Sequence, residues 1–128
     1  MASIRTARRI QAPAQRIWDV IANAGQVHSW FPLVKTAEID GDIRTAVLQD
    51  GSVLKEQIVT VDAQLYRFQY RVIGGDLPFE HHLGTIDVIA LNDEESLVVY
   101  GTDVQPESLA LALGPAIDDA VNTLAQAL

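Results

Sequence analysis

Residues 3–11 alternate, with Ile4, Thr6, Arg8 and Ile10 against Arg5, Ala7 and Arg9. That is the period-two pattern of a strand. Ala12-Pro13 ends it, and proline suits the first position of a helix because its missing N–H is not needed there. Ile17, Val20 and Ile21, flanked by Trp18, then fall at helical spacing over residues 13–23. Ala24-Gly25 stops that helix. A short second helix or turn covers Gln26 to Trp30 and is closed by Phe31-Pro32. Strand-like runs follow at 34–40, 43–49, 53–62, 66–73, 80–91 and 96–104. They are separated by turn signals: Asp40-Gly41-Asp42, Asp50-Gly51, Asp62-Ala63, Gly74-Gly75-Asp76 and Asn92-Asp93-Glu94-Glu95. Such short connections favour antiparallel hairpins, since parallel strands need long crossovers. Pro106-Glu107-Ser108 opens a last helix. Its stripe of Leu109, Leu113, Ile117, Val121, Leu124 and Leu128 is continuous. Gly114-Pro115 is expected to kink or split it.

The predicted order is one strand, two short helices, six strands and one amphipathic helix. A sheet with one apolar face must cover that face, and the C-terminal stripe is the long helix available to do so. The expected class is α+β: a six- to seven-stranded curved antiparallel sheet around a long C-terminal helix, a helix-grip fold with a cleft between the layers. At 128 residues the chain is one domain's worth, 1–128.

Composition narrows the function classes. There are no cysteines, which excludes disulfides, thiolate metal sites and a cysteine nucleophile. No stretch approaches the ~20 apolar residues of a membrane span, and the first residues lack the apolar run of a signal peptide. A cytoplasmic protein with no membrane insertion is expected, either a monomer or a homodimer. The formal net charge is −8, a field that repels a phosphate backbone, so no nucleic-acid partner is expected. No dinucleotide fingerprint, phosphate-binding glycine loop or Gly-x-Ser-x-Gly elbow occurs, and no cofactor is expected.

Several segments resemble the START/Bet v1-like superfamily, SRPBCC, and especially its small bacterial polyketide cyclase/dehydrase-like members. They are Ile10-Gln11-Ala12-Pro13-Ala14-Gln15-Arg16-Ile17-Trp18-Asp19-Val20-Ile21, Val27-His28-Ser29-Trp30-Phe31-Pro32, Leu54-Lys55-Glu56, Tyr66 to Val72, and Leu77-Pro78. The resemblance implies the same fold, which hosts carriers, receptors and enzymes alike. One branch, the plant abscisic-acid receptors, is similar enough to imply cavity positions. Its cavity lysine falls at Lys35, its cavity glutamate at Glu56, an aromatic at Tyr70 and a tyrosine at His82. The receptor's gate and latch loops fall at residues 48–53 and 75–79 but their sequences are not reproduced, which argues against a hormone-receptor role.

The residues themselves add to this. Tyr66, Phe68, Tyr70 and Val72 share one strand face, with Arg67, Gln69 and Arg71 opposite. Phe68 reads as core, and Tyr70 as a cavity residue whose hydroxyl needs a partner. The parity that turns Ile86 and Val88 inward turns His82 inward and leaves His81 and Asp87 outside. Adjacent strand histidines point to opposite faces and cannot easily share a metal; no metal site is expected. His28 reads as a helix-end residue. Where the resemblance puts Lys35 and Glu56 in one apolar cavity, they are expected to pair, because an isolated buried charge is costly.

Two functions follow, and a third, an interaction protein with a vestigial cavity, stands beside them. In the first, Lys35, Glu56, Tyr70 and His82 bind a small hydrophobic or aromatic molecule such as a lipid, polyketide or related metabolite. In the second, a cyclase, dehydratase or aldol-type enzyme uses His82 or Glu56 to move a proton alpha to a carbonyl, while Lys35 and Tyr70 stabilise the enolate.

Overall fold

The computed structural model describes residues 1–128. Strand β1 (Ala2–Ile10) leads to helix α1 (Ala14–Ile21) and a 3₁₀ segment (Ala24–Ser29). Six strands follow: β2 (Val34–Asp40), β3 (Ile43–Leu48), β4 (Val53–Asp62), β5 (Arg67–Gly75), β6 (His81–Asn92) and β7 (Glu95–Gln105). A 3₁₀ turn at Glu107–Leu109 opens into helix α2 (Ala110–Gln126). The strands form one curved sheet in the order β1-β7-β6-β5-β4-β3-β2, antiparallel throughout.

The hairpins close where the acidic and amide residues stand. Asp50 Oδ1 accepts from Ser52 N–H at 2.8 Å, Asp62 Oδ1 from Gln64 and Leu65 N–H at 3.0 Å each, and Asn92 Oδ1 from Glu94 N–H at 2.9 Å. Each side chain thus supplies the turn with a bond that the ladder cannot. At Gly75 the backbone takes a φ of +116°, and a side chain there would run into the Val53 carbonyl, so this corner requires glycine.

The core is one cluster. Helix α1 buries Ala14, Ile17, Trp18 and Ile21, and α2 buries Ile117, Ala120, Val121 and Leu124. They join inward residues of the sheet such as Phe68, Ile86, Val88, Val98 and Tyr100.

Three local expectations change. Helix α2 runs through Gly114-Pro115 without splitting. Pro115 frees the Leu111 carbonyl, but Leu111 is exposed, so water can take that bond. The expected inward stripe is also shorter than drawn: Leu109, Leu113 and Leu128 are only half-buried. Tyr66 does not begin a strand. It holds a left-handed backbone with a φ of +56° in the turn before β5, its ring 5.8 Å from that of Trp18 and its hydroxyl donating to Gln15 at 2.9 Å. No helix is long and apolar enough to cross a membrane.

Candidate functional site: a polar floor in an apolar cavity

Register sets two neighbouring inward rows on the concave face. In one, Arg44 on β3 lies directly opposite Glu56 on β4 and Glu56 opposite Val72 on β5; in the next, Tyr70 on β5 lies opposite Gly84 on β6. Arg44, Glu56, Tyr70 and His82 are all buried. Arg44 Nε donates to Glu56 Oε1 at 2.8 Å, and its Nη1 donates to the Ala24 carbonyl at 3.1 Å. The guanidinium also lies over the Tyr70 ring, 5.1 Å from its centroid, a favourable cation–π placement.

Gly84 explains how Tyr70 reaches its place. A Cβ there would sit 2.5 Å from Tyr70 Cε1 and 2.6 Å from Cζ. With no side chain on β6 at this point, the Tyr70 ring lies over the strand, and its hydroxyl hydrogen-bonds that of Tyr100 on β7. His82 stands beside them, its ring 5.3 Å from Tyr70 and 5.3 Å from Phe79. Its Nδ1 accepts from the Val72 N–H at 3.2 Å, so the ring proton resides on Nε2.

These groups form the polar part of a cavity of about 50 Å³ whose other walls include Trp30, Phe31, Leu54, Phe68 and Leu113. The space is small beside the roughly 300–1,000 Å³ of ordinary ligand pockets.

Three of the four residues proposed from sequence, Glu56, Tyr70 and His82, line this one space, and Lys35 does not. Lys35 is exposed. It occupies a register shift between Val34 and Thr36 on edge strand β2, and the shift turns Val34 inward and Lys35 to solvent. The partner of Glu56 is therefore Arg44. Asp87, expected outside, is half-buried because Arg67 clamps it through two bonds of 2.8 and 3.0 Å. His81 is exposed, and the Nδ1 of His28 is buried without a partner. No three histidine or acidic side chains converge as a metal-binding group.

The family model for polyketide cyclase/dehydrase and lipid transport proteins matches residues 1–128. The chain belongs to that family. Among solved structures, this polyketide cyclase/dehydrase-family chain is similar to the XoxI protein of Bacillus cereus, with 22% identity, a TM-score of 0.90, and 99% of this chain and 95% of that one covered. It is similar to a Thermobifida fusca protein at 24% identity and a TM-score of 0.83, covering 98% and 91%. It is also similar to norcoclaurine synthase from Thalictrum flavum, solved with dopamine and hydroxybenzaldehyde, at 21% identity and a TM-score of 0.73, covering 98% and 84%. At these identities the likeness is one of fold. A search among curated sequences finds no match.

Charge in this family member's cavity is balanced but strained. Burial pushes the Glu56 carboxyl up from the ordinary carboxylate range, against the opposing charge and hydrogen bond of Arg44. Burial also works against the Arg44 charge, yet Glu56 outweighs it and the guanidinium stays protonated. Burial, followed by the charge of Glu56, pushes the Tyr70 phenol up to about 12. It pushes that of Tyr100 well above its usual value. Both hydroxyls are therefore neutral donors at physiological pH. Burial first, and then His81, holds His82 down to about 4, so its ring is neutral as well. The floor offers donors from Arg44, one hydroxyl of the Tyr70–Tyr100 pair and His82 Nε2, with a single carboxylate oxygen, Glu56 Oε2, that makes no hydrogen bond.

Proposed function

We propose that this chain binds a small, mostly apolar organic molecule between sheet and helix, with Arg44, Glu56, Tyr70 and His82 orienting its polar end. The observation that carries the reading is the buried Arg44–Glu56 pair, with side chains only 4% and 7% exposed, set in otherwise apolar walls. A buried ion pair is seldom retained for stability alone, since apolar residues of like volume do as well or better. Membership of a family described by cyclisation, dehydration and lipid transport supports the same reading. Lys35, implied by resemblance, drops out, and Arg44 takes its role. The cavity must widen to admit a ligand. Native mass spectrometry of freshly purified protein tests this: a co-purifying small molecule that is lost in the Arg44→Met variant is the expected result. An empty protein that also binds no apolar probe would overturn the proposal.

A second reading has its own observation. A buried carboxyl with a raised affinity for protons and a free oxygen, beside phenol donors, suits proton transfer alpha to a carbonyl. Glu56 would move the proton, with His82 as the alternative base, and Tyr70 would hold the enolate oxygen. The likeness to norcoclaurine synthase is compatible with this. Deuterium exchange at the alpha carbon of small arylacetaldehydes and aryl methyl ketones, lost on Glu56→Gln, would favour it.

A further inference from the structure

The seven-stranded sheet has one gap. The β5–β6 ladder holds for four pairs, from Arg67–Asp87 to Tyr70–Gly84, and stops there. Beyond that point β5 stays with β4 up to Gly75, and β6 stays with β7 down to His81. The two strands diverge, and the His82 ring fills the wedge between them. The Val72 N–H, with no partner strand on that side, bonds His82 Nδ1 instead.

An outer groove of about 330 Å³ opens on the far side of this wedge. It shares Val72, Phe79 and His82 with the inner cavity, so these residues border both spaces. Displacing the His82 ring would cost one side-chain hydrogen bond and its aromatic contacts, and no ladder bond. Arg71 lines the groove. Its Nε and Nη2 both donate to the neutral Gln57 Oε1, and it forms no ion pair. Its charge is held in place and uncompensated. His81 stands near, and the acid on this wall, Glu80, is exposed.

We propose that cavity and groove are two halves of one site divided by the His82 ring, and that the ligand is amphipathic. Its apolar body lies among Phe68, Tyr100 and Leu113, and its anionic end passes between β5 and β6 to Arg71. This rests on the reading of the cavity as a ligand site and adds the path and the chemistry of the ligand's outer end. It also supplies the room that 50 Å³ does not.

Two fluorescent probes with one aromatic skeleton test it: 8-anilinonaphthalene-1-sulfonate and the uncharged N-phenyl-1-naphthylamine. Wild-type protein is expected to bind both. Arg71→Gln, at an exposed position, should weaken the sulfonate about fivefold and leave the uncharged probe unchanged. His82→Ala should speed association of both probes about tenfold in stopped flow. Circular dichroism confirms that each variant is folded, and the Arg71 result stands alone if His82→Ala is not. An equal effect of Arg71→Gln on both probes, or on neither, overturns the proposal, as do unchanged association rates in folded His82→Ala. In those cases probe binding persists and the cavity reading survives. Failure of both probes to bind wild-type protein that mass spectrometry shows to be empty defeats that reading, and this one with it.

Discussion

The two halves of helix α2 carry one apolar stripe but meet different surroundings. In the C-terminal half, Ile117, Ala120, Val121 and Leu124 are at most 2% exposed. In the N-terminal half, Leu109 and Leu113 are only half-buried, Leu113 over the cavity. The sheet shows the same division. The β6–β7 ladder runs from His81–Gln105 to Asn92–Glu95 with one irregularity, while β4–β5 carries two register shifts and β5–β6 stops after Tyr70. One end is close-packed; the other trades packing for space and buried polarity. A hydrophobic stripe therefore reveals which face turns inward, not whether it meets side chains or a cavity.

Breaking the packed end should have the largest effect. Ile117→Asp removes a buried side chain and puts a carboxyl in its place, at a cost of about 5 kcal/mol, measured by urea unfolding. At the cavity end, Glu56→Gln leaves Arg44 buried without its counter-charge and should cost about 4 kcal/mol. Arg44→Met combined with Glu56→Gln should cost clearly less than the sum of the single changes; an additive cycle would show that the pair is uncoupled.

The same end should respond to pH. His82 is neutral in the fold down to about pH 4, against 6.5 for a free ring. Between those values the unfolded chain binds the extra proton, so stability rises with pH. The contribution, about 3 kcal/mol, is complete above pH 6.5 and lost as pH falls towards 4. His82→Gln should flatten that part of a stability–pH curve. The smallest effect sharpens the contrast within α2: Leu111→Ser, off the stripe, should change stability by less than about 0.5 kcal/mol.

Much of this was legible in the sequence. Alternation located all seven strands, and strand parity turned Phe68, Tyr70 and His82 inward. Arg44 escaped because both faces of its strand are similar: Ile43 and Val47 on one, Ala46 and Leu48 on the other. Yet Arg44 stands six residues before Asp50 and Glu56 six after it, so counting back from the turn pairs them. Lys35 was placed in the cavity by resemblance alone, and the bulge on edge strand β2 that turns it outward leaves no mark in the alternation. The contact between Tyr70 and Tyr100 depends on Gly84, and a lone glycine in a strand can mean a bulge or weak packing as readily as room for a ring.

Trp30 stands in the cavity wall, its ring 6.0 Å from Phe31 and 6.4 Å from Tyr100. The only other tryptophan, Trp18, packs on Tyr66 outside the cavity lining. The molecule thus carries its own optical reporter. With Trp18 replaced by phenylalanine, all indole emission would originate beside the cavity, and occupancy could be followed through its colour and quenching without any label.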